Sequence, residues 1–137
     1  AARFVALSLK VAALAAIPHL LVFAALPVAH GLSRLSAVVV IATSTYARPE
    51  GIAKPVAAGV ARSALTVAAL TGGAALIAFG FFAGIGAIVC AFVGLCMGHL
   101  ATRLLFERKL GGYTGDCLGA VQQLSEIGFY LGLLAWL

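Results

Sequence analysis

The stretch ALTVAALTGGAALIAFGFFAGIGAIVCAFVGLCMGHLATRLLF, residues 64–106, decides the fold class. Its one formally charged residue is Arg103, and apart from His99 the remainder is apolar or small. At ~1.5 Å per residue, the runs Ala64–Phe82 and Ala87–Phe106 each approach the ~30 Å of a bilayer core. The uncharged glycine-rich segment around Gly80–Gly86 reads as a short turn between two membrane helices. Composition agrees across all 137 residues: 64% are hydrophobic and 9% are charged, with a mean hydropathy of +1.15. A soluble domain carries roughly 25% charged residues, so this chain has too few to coat a globule. Backbone groups in hydrocarbon must be satisfied internally, and Ala, Leu, Val and Gly richness without strict alternation favours helices over a barrel. The expected fold is all-α, a polytopic helical bundle in the lipid bilayer with about five transmembrane helices, in a single membrane domain over 1–137.

Working outward, a first apolar run, Phe4–Leu26, contains Lys10, Pro18 and His19, and a kink is expected at Pro18. Pro27 and Gly31 suggest a turn. A second run, Leu35–Thr45, must extend back past Arg34 toward Val28 to span. The polar connection Tyr46–Ser63 holds Arg48, Pro49, Glu50, Lys54, Pro55 and Arg62, and a fifth run covers Gly119–Leu137.

The net charge of +5 is spread along the chain as topology signals, and no nucleic-acid partner is expected. The 46–63 connection and Arg103–Lys109 are separated by room for two helices, so both should lie on one face of the membrane. The positive-inside rule makes that face cytoplasmic. Arg3 joins it if helices one and two form a hairpin. Small residues at four-residue spacing, Gly80/Gly84, Gly94/Gly98 and Gly128/Gly132, permit close helix approach. Packing within the chain is the main reading, and a homo-oligomer seam is the lesser one.

Chemistry concentrates in Leu110–Glu126, LGGYTGDCLGAVQQLSE. It gathers two of the four acidic residues, Asp116 and Glu126, with four glycines. Acids are costly at membrane depth, so such a cluster reads as a site, or as a helix cap and turn. Asp116 beside Arg103, Arg108 and Lys109, with Arg48 and Lys54 on the same face, suits metal-assisted phosphoryl transfer. The acid holds a hard cation such as Mg²⁺, and the bases neutralise phosphate oxygens. Glu126, ten residues on, is placed as a supporting residue or as partner to a base such as Lys10 or Arg34. Lys10 can snorkel to the interface. Arg34 is read as lining a polar cavity, unless helix two breaks near His30–Gly31. His19, His30 and His99 share no metal-ligand spacing and are read as packing or interfacial residues. Cys117 is read as a compact spacer, and Cys90 and Cys96 as packing residues.

The run LGGYTGDCLGA…SE resembles the C-terminal signature of the cobalamin synthase family, the adenosylcobinamide-GDP ribazoletransferases. Ser33-Arg34 and Tyr46-Ala47-Arg48-Pro49-Glu50-Gly51 look like that family's central segment, and Lys10 falls where it carries a lysine. The resemblance implies a bacterial inner-membrane transferase with its active face cytoplasmic. It would join adenosylcobinamide-GDP to alpha-ribazole, or its 5′-phosphate, with release of GMP and assistance from Mg²⁺. Carried over, Asp116 is the metal or catalytic carboxylate, and Lys10, Arg34 and Arg48 are catalytic cations on phosphate. Gly111, Gly112, Thr114 and Gly115 shape the substrate-binding turn, and Glu126 supports it. Gln123 stands where many members carry an acid. The family's Gly-Gly-x-His-x-Asp-Gly-x-x-Asp-type segment is absent, so the chain is expected to be roughly a C-terminal half, inactive alone. The competing reading is a transporter subunit with Lys10, Arg34 and Glu126 lining a solute path.

Overall fold

The computed structural model describes residues 2–43, 62–112 and 115–137. Every secondary-structure element among them is helical: α1 (Ala2–Ala16), α2 (His19–Thr43), α3 (Arg62–Ala83), α4 (Ile85–Leu110) and α5 (Gly115–Trp136). Stretches His19–Ala42, Ser63–Ala83 and Ile85–Lys109 are long and apolar enough to cross a membrane. At ~1.5 Å per residue the 15-residue α1 is ~22 Å long, short of a full crossing. The 22-residue α5 has the length, but Gln122, Gln123 and Glu126 dilute its hydropathy. The molecule is a multi-pass membrane protein built as an all-α bundle.

Two boundaries differ from the sequence reading. Pro18 does not kink one long helix; it separates α1 from α2, and the Val22 amide donates to the Pro18 carbonyl at 3.0 Å to open the new helix. Pro27 and Gly31 do not form a turn but lie inside α2, which continues through both. Proline is tolerated inside membrane helices, and this one lies on an exposed face of α2. Arg34 therefore sits nine residues, about 13 Å, from the Thr43 end of α2, nearer that end than the far one. The turn around Gly80–Gly86 narrows to Gly84, whose φ of 98° favours a residue without Cβ.

Helix α5 forms the axis of the bundle. Gly94, Gly98 and Gly132 face the backbone carbonyls of Gly128, Leu124 and Cys90, so α4 and α5 run antiparallel with their backbones in contact. A Cβ at any of the three would strike a main-chain carbonyl, which has no rotamer to escape into. The small-residue spacing thus serves a seam within the chain. Ser36 meets Ser125, and Val40 clusters with Val121, so α2 is also antiparallel to α5. Because α2 begins at the far end, α1 runs back from Lys10, level with Glu126, to Ile17 in the core. The two helices are antiparallel, but each packs on α5 rather than on the other. Phe129, Tyr130 and Leu133 on α5 are completely buried, and Phe79 of α3 meets Phe129 with ring centroids 5.8 Å apart. Helix α3 otherwise leaves most of its surface exposed.

These directions bring the C-termini of α2 and α4 and the N-termini of α3 and α5 to one end. Substituting Gly128→Leu should destabilise the chain by about 1–3 kcal/mol or more, because the opposed carbonyl cannot move aside. Gly73→Ala, in open space on α3, should leave stability unchanged or raise it by up to about 1 kcal/mol. Thermal unfolding in detergent distinguishes the two, and equal midpoints would refute the seam.

Candidate functional site at the basic end of the bundle

Helix α4 ends on Gly111, in the left-handed conformation with φ 74°, whose N–H donates to the Glu107 carbonyl at 2.9 Å. A residue with a Cβ is disfavoured there, which gives the first glycine of the pair its physical reason. Gly112 is buried, and α5 restarts at Gly115. Asp116 follows in the first turn of α5 and is exposed, where the positive end of the helix dipole favours a carboxylate. Arg108 and Lys109 are exposed in the last turn of α4. One turn below them, Arg103 Nε donates to Glu107 Oε1 at 3.0 Å. Cys117 packs beside Val40, Phe106 and Val121, in keeping with a compact spacer. Arg48, Lys54, Tyr113 and Thr114 lie outside the described residues.

A second polar layer lies deeper. Glu126, only 3% exposed, is bound by Lys10 Nζ at 3.0 Å and accepts the Tyr130 hydroxyl at 2.8 Å. Of the two bases considered for Glu126, Lys10 is its partner. Lys10 turns inward to the bundle rather than snorkelling. Arg34 does neither: α2 is unbroken at His30–Gly31, and Arg34 is exposed on its outer side, with Nε donating to His30 Nε2 at 3.0 Å. Lys10 and Glu126 therefore meet while Arg34 points elsewhere, and the three do not line one path.

Sequence reasoning missed the partner array on the other side of α5. Ser36 Oγ bonds His99 Nδ1 and also Ser125 Oγ at 3.1 Å, tying α2, α4 and α5 together. Polar residues inside three separate apolar runs were the visible signal. Their pairing depends on helix register, which spacing alone does not supply.

No group of three or more His, Cys, Asp or Glu residues able to hold a metal occurs among the described residues. Asp116 is a single exposed carboxylate, which would hold Mg²⁺ only together with phosphate oxygens and waters and not as a preformed cage.

The fold and this end together define a polytopic membrane protein with a carboxylate and a cluster of cations beside a glycine-rich helix junction. The family model for cobalamin-5-phosphate synthase matches residues 1–134, and the chain belongs to that family. It is 42% identical over 116 residues to the adenosylcobinamide-GDP ribazoletransferase of Ralstonia nicotianae, covering 82% of this chain and 42% of that protein. The corresponding protein of Ralstonia pickettii is 39% identical over 124 residues, covering 88% and 46%. That of Shewanella woodyi is 36% identical over 118, covering 85% and 44%. The chain thus spans less than half the length of these relatives. No solved structure matches it.

The Lys10–Glu126 pair yields a direct test. Lys10→Met leaves a buried carboxylate without its cation and should cost about 3–5 kcal/mol. Lys10→Met combined with Glu126→Gln should recover much of that loss, since no buried charge remains. A double-mutant cycle read by thermal unfolding would show strong coupling; additive losses would mean that the pair is not formed.

Proposed function

We propose that this chain is part of an adenosylcobinamide-GDP ribazoletransferase. The enzyme would join adenosylcobinamide-GDP to alpha-ribazole or its 5′-phosphate at the cytoplasmic face of a bacterial inner membrane. The observation that carries the reading is Asp116 exposed in the first turn of α5 and Arg108 and Lys109 exposed in the last turn of α4, on either side of the Gly111-capped junction, in a chain of this family.

In the proposed reaction a ribazole hydroxyl attacks the cobinamide-linked phosphorus. A new O–P bond forms, the pyrophosphate P–O bond breaks, GMP leaves, and the hydroxyl proton is released. The charge that builds on the phosphate oxygens is what the protein must stabilise. Mg²⁺, when bound with the substrate and Asp116, supplies part of that neutralisation. Arg108 and Lys109 add cationic charge from the end of α4, and Arg48 from the connection between α2 and α3. Gly111, Gly112 and Gly115 leave the junction without side chains at those positions, so that backbone could approach a phosphate, and Thr114 is assigned to the same turn. Arg34, exposed at depth on α2, is assigned to a phosphate reached from that outer side. Lys10 contributes through Glu126, setting α5 and hence the position of Asp116.

The test uses the complete gene product in membranes, assayed for Mg²⁺-dependent GMP release from adenosylcobinamide-GDP plus alpha-ribazole phosphate. Asp116→Asn should lower the rate about 100-fold or more while the protein remains folded. A variant within a few-fold of wild type would reduce Asp116 to a helix-capping residue and overturn the site.

A further inference from the structure

A cavity of about 280 Å³ lies between α2 and α4, and Ser36 of the Ser36–Ser125 contact is in its lining. Its walls are apolar, with Phe92 and Leu35 among them, and its polar groups are Ser36 and His99, with Cys96 beside them. The His99 ring is held through Nδ1 by Ser36, which is held in turn by Ser125. The Ser36 contact engages Nδ1, so a ligand of this imidazole would meet its other nitrogen, Nε2.

These features select an occupant. Sites for whole drug-sized ligands run to roughly 300–1,000 Å³, so this one suits a ring rather than a nucleotide or a corrinoid. An acyl chain would fill the walls but would leave the imidazole edge without a partner at membrane depth, which is costly. A planar heteroaromatic ring satisfies both, with its faces against Phe92 and leucines and its in-plane nitrogen on His99. The depth also fits. Ser36 lies seven residues, about 10 Å, from the Thr43 end of α2, and His99 lies one turn below Arg103. A ribose attached to a ring at that level would extend toward the charged end.

We propose that this cavity seats the benzimidazole ring of the ribazole substrate, with His99 as a binding and specificity residue. The proposal rests on the transferase reading and adds a place for the second substrate.

The experiment uses the complete gene product in membranes with Cys96 as the reporter, after Cys90→Ala and Cys117→Ala. Alkylation of Cys96 by N-ethylmaleimide should slow on adding alpha-ribazole, and neither guanosine nor decane should reproduce the effect. In the activity assay, His99→Ala should raise KM for alpha-ribazole about tenfold, with KM for adenosylcobinamide-GDP unchanged. If His99→Ala fails to fold, Leu100→Trp, at the exposed rim, should raise the same KM by crowding the cavity. Protection of Cys96 without GMP release by the wild type would support the ring seat while sinking the transferase reading. Normal GMP release with Cys96 unprotected at saturating alpha-ribazole would overturn the seat. Equal protection by decane would make the cavity a nonspecific lipid crevice and overturn it as well.

Discussion

A buried polar layer on α5, centred on Glu126 and Ser125, sets how α1, α2 and α4 meet it. Glu126 lies where water is excluded, so it needs a cation and a hydrogen-bond donor; Lys10 and Tyr130 provide them at 3.0 and 2.8 Å. That requirement brings α1 against α5. On the other side of α5, Ser125 takes part in an array with Ser36 and His99 that fixes α2 and α4 at the same level. Replacing such a pair by well-packed apolar groups often costs little, whereas removing one partner is expensive. The interaction therefore selects a register more than it adds to total stability.

From this layer, α5 runs about ten residues to its N-terminus and delivers Asp116 to the end where α4 leaves Arg108 and Lys109. The glycines of α4 and α5 allow the backbones to touch, which aligns the hairpin end to end. Asp116, Arg108 and Lys109, proposed for phosphate chemistry, thus sit at one end of the bundle, with Arg34 deeper on the outer side of α2. The groups that hold the helices, and the cavity assigned to an aromatic ring, lie about two to three turns below that end. A substrate with an anionic end and an apolar ring would match that separation.

Much of this architecture is legible in the chain itself. The spans over 64–106 and their turn follow from two apolar runs interrupted by uncharged glycines, and Gly84 occupies the joint. The partnership of Glu126 with a buried base is visible too, because a carboxylate in an apolar run demands a counter-charge. The choice of Lys10 over Arg34 is not, since both lie in apolar runs and only helix rotation separates inward from outward. The boundary between α1 and α2 is obscured for a related reason: Pro18 and Pro27 carry equal helix-breaking signals, yet only Pro18 ends a helix and α2 continues through Pro27. Ser36 and His99 are 63 positions apart, and their contact exists only once α2 and α4 lie parallel beside α5.

The central claim is that α4 and α5 bring Asp116 and the basic residues to one membrane face, with the Gly84 turn on the other. Sidedness of chemical labelling tests it most directly. In a cysteine-free background of the complete protein, Arg108→Cys and Asp116→Cys should react with an impermeant maleimide in inverted inner-membrane vesicles and not in right-side-out ones. Phe82→Cys, beside the turn, should show the reverse pattern. Labelling of positions 82 and 116 from the same side would contradict the bundle described here.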